Sequence, residues 1–209
     1  FIMSIFTNPS LHNSARWKNM RIGLLGGSFN PPHQGHVHIS LAALKALKLD
    51  AVWWLVSPQN PLKTEKPLPS EDRIRLSEEL IQNPKILVSG IEEDLGTSIT
   101  YYTIRKLKSS FPTTRFVWLS GMDNAHSLHR WHHWQDLLGE ICMAHITRAP
   151  AQSLVKRSPL KNYNKQKHVF LSRGGALPLD SGTTYWLMQK KMIDLSSTSI
   201  REKANKSNT

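Results

Sequence analysis

Two histidines, His33 and His36, stand three residues apart in the stretch GLLGGSFNPPHQGHVHIS (23–40), just after an apolar run, a glycine pair and a Pro-Pro. At a helix start, side chains spaced i and i+3 face the same way, so the two imidazoles would converge. Converging imidazoles can hold a metal, pass protons or donate to an anion, and they can also be purely structural. Pro31 and Pro32 delay the helix until about Gln34 or Gly35. Its first N–H groups and the positive end of its dipole then favour phosphate. Gly26 and Gly27 carry no side chain and permit close approach of a ligand or a neighbouring main chain. The turn is neither a Walker loop nor a G-x-G-x-x-G turn. Zinc would need further ligands, and none stands nearby. Phosphate contact is the favoured reading, and His38, one position too far round, reads as structural.

Two other segments carry candidate chemistry. Ser196, Ser197 and Thr198, followed by Ile200 and Arg201, form a hydroxyl-rich helix start with a guanidinium one turn in. Such a group can receive a polyphosphate, and it can also be an ordinary helix cap. His126, His129, His132 and His133 crowd eight positions, with Trp131 and Trp134 interleaved. Three of them would share a helical face, which allows zinc, but the favoured reading is partly exposed residues around an aromatic floor.

The elements that must position these residues follow from hydrophobic patterning. Runs at 21–27, 51–57, 85–91, 114–121, 141–147 and 167–172 are short and mostly continuously apolar, as strands buried on both faces of a parallel sheet are. Amphipathic segments lie between the earlier ones, at 37–49, 70–82 and 98–110. Ser70 reads as an N-cap, with Glu71 and Asp72 in the first turn. This rhythm predicts an α/β fold in one domain, a doubly wound parallel sheet with helices on both faces. Ligands of such sheets sit beyond the carboxyl ends of the strands, near the switch in strand order. That rule brings together 26–35, 57–63, 121–134 and Arg148. Residues 1–19 and 202–209 read as loosely held ends and 151–166 as a basic loop.

Bulk properties narrow the class. The chain has 209 residues, with 27 Lys and Arg against 15 Asp and Glu. Residues 151–209 carry 11 basic and 3 acidic side chains, a field that attracts nucleic acid or nucleotide phosphates. Cys142 is the only cysteine, which excludes an internal disulfide and a cysteine-based zinc site. No run approaches the roughly 18 apolar residues of a membrane helix, and the first twenty residues lack the order of a signal peptide. A cytoplasmic protein with no membrane partner is the expectation.

GGSFNPPHQGH resembles the G-G-[ST]-F-[DN]-P-x-H-x-G-H signature of the nucleotidyltransferase superfamily, and LSSTSIR (195–201) is similar to its I-S-S-T-x-I-R element, with Leu195 for the first Ile. The resemblance implies a Rossmann-like domain over about residues 20–209, preceded by an extension at 1–19. It also implies ATP bound by Gly26, Gly27, Ser28, Phe29, Ser197, Thr198, Ile200 and Arg201. His36 and His33 would act at the α-phosphate, and Gly121 and Asp123 of SGMDN would handle the ribose. Acceptor-side segments look like those of the nicotinate-nucleotide adenylyltransferases of bacterial NAD synthesis. They imply contacts to nicotinate mononucleotide from Asn60, Lys63, Ser98, Thr100, Trp131, His132 and Arg148, with Thr103 beside them. Trp131 would stack on the pyridine ring. The chain departs from that pattern at Leu62, where many members have histidine, and at Ile99, where tyrosine is usual. Mg²⁺ is expected to arrive with ATP, with no metal held by the protein itself. Sister adenylyl- and cytidylyltransferases share both phosphate motifs, and a basic nucleic-acid binder is the reading from another class. Nucleic acid is not the expected partner, and a homo-oligomer is left open.

Overall fold

The computed structural model describes residues 6–58, 67–146, 158–171 and 174–188. Among these described residues, seven strands form one parallel sheet in the order β3-β2-β1-β4-β5-β7-β6. They are β1 Arg21–Gly27, β2 Ala51–Val56, β3 Ile86–Ser89, β4 Arg115–Gly121, β5 Cys142–Ile146, β6 Lys167–Leu171 and β7 Thr183–Leu187. The chain first runs outward from β1 to β3, then returns to place β4 on the other side of β1. The β1/β4 pair is therefore the topological switch, with Leu24 beside Trp118 and Leu25 beside Leu119. Past that register, Gly26 and Gly27 stay paired with Leu55 and Val56 of β2.

Alternation within each strand divides the apolar side chains between two cores. Leu24, Trp53, Leu55 and Trp118 face one side, with Ile104 and Leu107 of helix α4 (Thr100–Ser110) and Leu137 and Leu138 of α6 (Trp134–Glu140). Leu25, Val52, Trp54 and Leu119 face the other, under Ile39 and Ala43 of α1 (Gln34–Ala46) and Ile74 of α2 (Ser70–Leu80). Helices cover both faces, as the patterning predicts. Two shorter α-helices among the described residues are α3 (Ile91–Asp94) and α5 (Met122–Ser127).

Three details differ from the sequence reading. β7 was not among the predicted strands. Its five residues follow β6 with no helix among the described residues between them, so the alternation of strand and helix gives no cue, and it inserts between β5 and β6. Ser70 is not the N-cap of α2. Pro69 takes that place, and the Ser70 hydroxyl donates instead to Glu93 Oε1 at 2.6 Å.

The third is the segment before β1, which is packed rather than loose over residues 9–19. A 3₁₀ helix, Leu11–Trp17, starts with a reciprocal cap between Ser10 and Asn13. It delivers Trp17, 1% exposed, edge-on to Trp53 at 4.8 Å. The indole N–H donates to Asn13 Oδ1 at 3.0 Å, and Ser89 Oγ donates to Pro9 O at 2.9 Å. Trp17→Ala is expected to lower stability by about 3–5 kcal/mol, the usual effect of emptying a tryptophan-sized core position. Urea unfolding checks this.

Candidate active site

The β1–α1 turn is built around its two histidines. His33 is the N-cap of α1, and its Nδ1 accepts from the Gly35 N–H at 3.1 Å. His36 Nδ1 accepts in return from the His33 N–H at 3.2 Å. This is a capping box, with imidazoles in the places usually held by Ser and Glu. The ring centroids are 3.8 Å apart, so the convergence inferred from the spacing holds. Because each Nδ1 accepts a hydrogen bond, the proton of each neutral ring sits on Nε2. The helix start thus carries imidazole N–H groups on Nε2, while the His33, Gly35 and His36 main-chain N–H groups are taken up within the cap, and the positive end of a 13-residue helix lies behind them.

The core fixes where those rings stand. Trp54 Nε1 donates to Ser40 Oγ at 2.7 Å, and Ser40 Oγ donates to the His36 carbonyl at 2.9 Å. Phe29 lies 4.7 Å from the His36 ring and stacks on Trp54 at 4.9 Å. Phe29 has a φ of +46°, a conformation that bulky L-residues rarely adopt. That backbone lets the chain leave β1, bury the benzyl group and turn toward Pro31 in three residues. The side chain expected beside the nucleotide is therefore a core residue, 1% exposed, and holds His36 in place.

The glycine pair is also resolved. A Cβ on Gly26 would lie 2.3 Å from the Trp118 indole, whereas one on Gly27 would make only ordinary contact with Phe29. The space left open at Gly26 is filled by tryptophan rather than by a ligand. Trp131 packs edge-on against Trp118 at 6.1 Å and 88°.

On the β4 side, Gly121 is the N-cap of α5, and Asp123 stands partly exposed in its first turn. Beneath them Ser120 Oγ and His145 Nδ1 are 2.7 Å apart and buried. Burial pushes the His145 pKa down to about 3, against the charge of Asp123, which works the other way. His145 is therefore an uncharged strut at neutral pH. Ser98 and Thr100 lie partly exposed at the start of α4, while Thr103 turns inward and donates to Glu92 Oε1 at 2.8 Å. Burial raises the pKa of Glu92, and the Thr103 and Ser57 hydroxyls pull it back.

The histidines of 126–133 do not share a helical face, because α5 ends at Ser127 and a 3₁₀ turn, Leu128–Arg130, follows. His129 Nδ1 lies 3.0 Å from the His126 carbonyl. His133 has a φ of +54° and joins Asp136 (3.2 Å) and Tyr102 (3.3 Å), tying α6 to α4. Exposed His132 stacks on His133 at 4.8 Å. Among the described residues, no group of three or more His, Cys, Asp or Glu is placed to hold a metal ion, and no helix is long and apolar enough to cross a membrane.

The sequence reading missed Arg73, Glu92 and Trp118. Arg73 carried a signal, since it recurs with Ser77 at i, i+4 on the buried face of an otherwise charged helix. Asn60, Lys63, Arg148, Ser197, Thr198, Ile200 and Arg201 lie outside the described residues, as do Leu62 and the rest of 195–201.

Comparison with known proteins agrees with this arrangement. The family model described as cytidylyltransferase-like matches residues 24–203. The probable nicotinate-nucleotide adenylyltransferase of Cereibacter sphaeroides is 42% identical over 184 residues, covering 87% of this chain and 97% of that protein. Its counterpart in Parvibaculum lavamentivorans is 40% identical, covering 88% and 92%. Among solved structures, the Plasmodium falciparum nicotinic acid mononucleotide adenylyltransferase complexed with NaAD shares the fold at a TM-score of 0.65 and 18% identity, over 88% of this chain and 83% of that one. With both histidines at the switch point and this similarity running through nearly the whole length of its relatives, the chain belongs to the cytidylyltransferase-like family, among the nicotinate-nucleotide adenylyltransferases, and is a nucleotidyltransferase.

Proposed function

We propose that the chain transfers the adenylyl group of ATP to nicotinate mononucleotide, forming nicotinate adenine dinucleotide and pyrophosphate. The observation that carries this reading is the reciprocal His33–His36 cap at the β1/β4 switch, in a chain whose relatives carry that activity in their names. A mononucleotide phosphate is already anionic at neutral pH and needs no general base. The chain's task is to bring two repelling anions into line and to stabilise charge spreading over the α-phosphoryl group.

His36 donates from Nε2 to a non-bridging α-phosphate oxygen, and His33 supports it. The main chain of Gly26 to Phe29 lies along the triphosphate, with the positive end of the α1 dipole facing it. Ser197, Thr198, Ile200 and Arg201 take its β and γ groups, and Asp123 with Gly121 accepts the ribose hydroxyls. Trp131, braced by Trp118, stacks on the pyridine ring, with His132, Ser98, Thr100, Asn60, Lys63 and Arg148 around the acceptor. Mg²⁺ would arrive on the triphosphate and would offset phosphate charge.

The test is to supply ATP and Mg²⁺ with nicotinate mononucleotide, nicotinamide mononucleotide or phosphopantetheine separately. Dinucleotide and pyrophosphate should form fastest with the first. A faster reaction with another acceptor would overturn the substrate assignment.

A further inference from the structure

Arg73, on α2, is only 1% exposed, and its guanidinium is spread over four main-chain carbonyls. Nη1 donates to Ser28 O and to Ser57 O, each at 2.7 Å. Nε donates to Leu68 O at 2.7 Å, and Nη2 to Pro58 O at 3.3 Å. Ser28 belongs to the turn between the glycine pair and His33. Ser57 and Pro58 leave β2, and Leu68 leads into α2, so these three bracket the segment that carries Asn60 and Lys63. One side chain therefore ties the donor-side turn to the carboxyl end of β2 and to the approach to α2. Two weaker links run in parallel, from Ser57 N to Gly27 O at 3.0 Å and from Leu68 N to Asn30 Oδ1 at 3.4 Å.

A buried cation is costly unless its donors are satisfied, and a planar fork meets four carbonyls at fixed angles in a way that a lysine ammonium cannot. Burial lowers the Arg73 pKa, opposed by the charge of Glu93, yet a guanidinium keeps its proton. Carbonyl dipoles do not cancel that charge, so it adds to the field offered to anions in the turn.

The geometry points to Arg73 as the positioning residue of the transfer: it holds the ATP-side turn at Ser28 and the carboxyl end of β2 at Ser57 and Pro58 in one fixed relation without touching either substrate. This rests on the adenylyl-transfer reading above. In-line transfer is sensitive to such alignment, and displacement of about 1 Å can cost on the order of 100-fold.

The test uses the full chain with Arg73→Lys and Arg73→Met, and with Phe111→Leu as a stability control. Phe111 packs on Trp53 and Phe116, away from the carboxyl edge of the sheet. Wild type is assayed first, since no dinucleotide from wild type would be a failure of the proposed activity and not of this inference. With an active wild type, both Arg73 variants should lose about 10- to 100-fold in kcat, well below their melting temperatures, with KM for ATP and acceptor changed by no more than about threefold. Phe111→Leu should melt earlier and keep its kcat. A kcat in Arg73→Lys or Arg73→Met within about twofold of wild type overturns the inference. So does failure of Arg73→Lys to fold, which would make the residue a plain structural support.

Discussion

His36→Ala is expected to reduce turnover by about 100- to 1,000-fold, the usual effect of removing one donor aimed at charge that develops in the transition state. The same change removes the acceptor for the His33 N–H, so it also weakens the start of α1 by roughly 1 kcal/mol. A second variant separates the two losses. Asn at this position keeps an acceptor near Nδ1 but has no counterpart of the Nε2–H. The chain already uses Asn in that role, since Asn13 accepts from Ser10 N at 3.0 Å in the first helical turn. His36→Asn should thus melt closer to wild type than His36→Ala and remain as inactive. Steady-state turnover and thermal melting read the two effects. Near wild-type turnover in either variant would remove His36 from the chemistry.

Gly26→Ala should destabilise the fold although it adds one methyl group. That methyl would stand 2.3 Å from an indole that is 2% exposed, and a rigid ring in a filled core has little room to retreat. Overpacking of this kind costs about 1–3 kcal/mol, which for a chain of this size lowers Tm by roughly 2–12 °C. Displacement of Trp118 would pass to Trp131, so the KM for the acceptor should rise as well. The Gly27→Ala variant, with only ordinary contact waiting for its Cβ, should melt close to wild type. Equal melting temperatures for Gly26→Ala and wild type would refute the packing account.

Much of the architecture was legible because it rests on local patterning. Continuous apolar runs such as AVWWLV mark strands buried on both faces, and the helical segments between them mark crossovers. The histidine pair was legible for the same reason, since an i, i+3 spacing after Pro-Pro fixes where the rings meet. What stayed hidden depends on contacts distant in sequence. No periodicity announces that Trp118 occupies the space above Gly26, or that Phe29 turns its ring onto Trp54. The 3₁₀ helix before β1 is short and polar apart from Leu11, Ala15 and Trp17, and only the burial of Trp17 against Trp53 shows that it belongs to the core. Arg73 was the reverse case, a charge on a buried helical face whose purpose appears only when the four carbonyls are in view.

The most direct measurement follows the phosphorus atoms. With ATP labelled on the α-phosphorus, the label should pass wholly into nicotinate adenine dinucleotide; with ATP labelled on the γ-phosphorus, it should leave wholly as pyrophosphate. Label from the γ position in the acceptor product, or ADP in place of pyrophosphate, would contradict attack at the α-phosphorus.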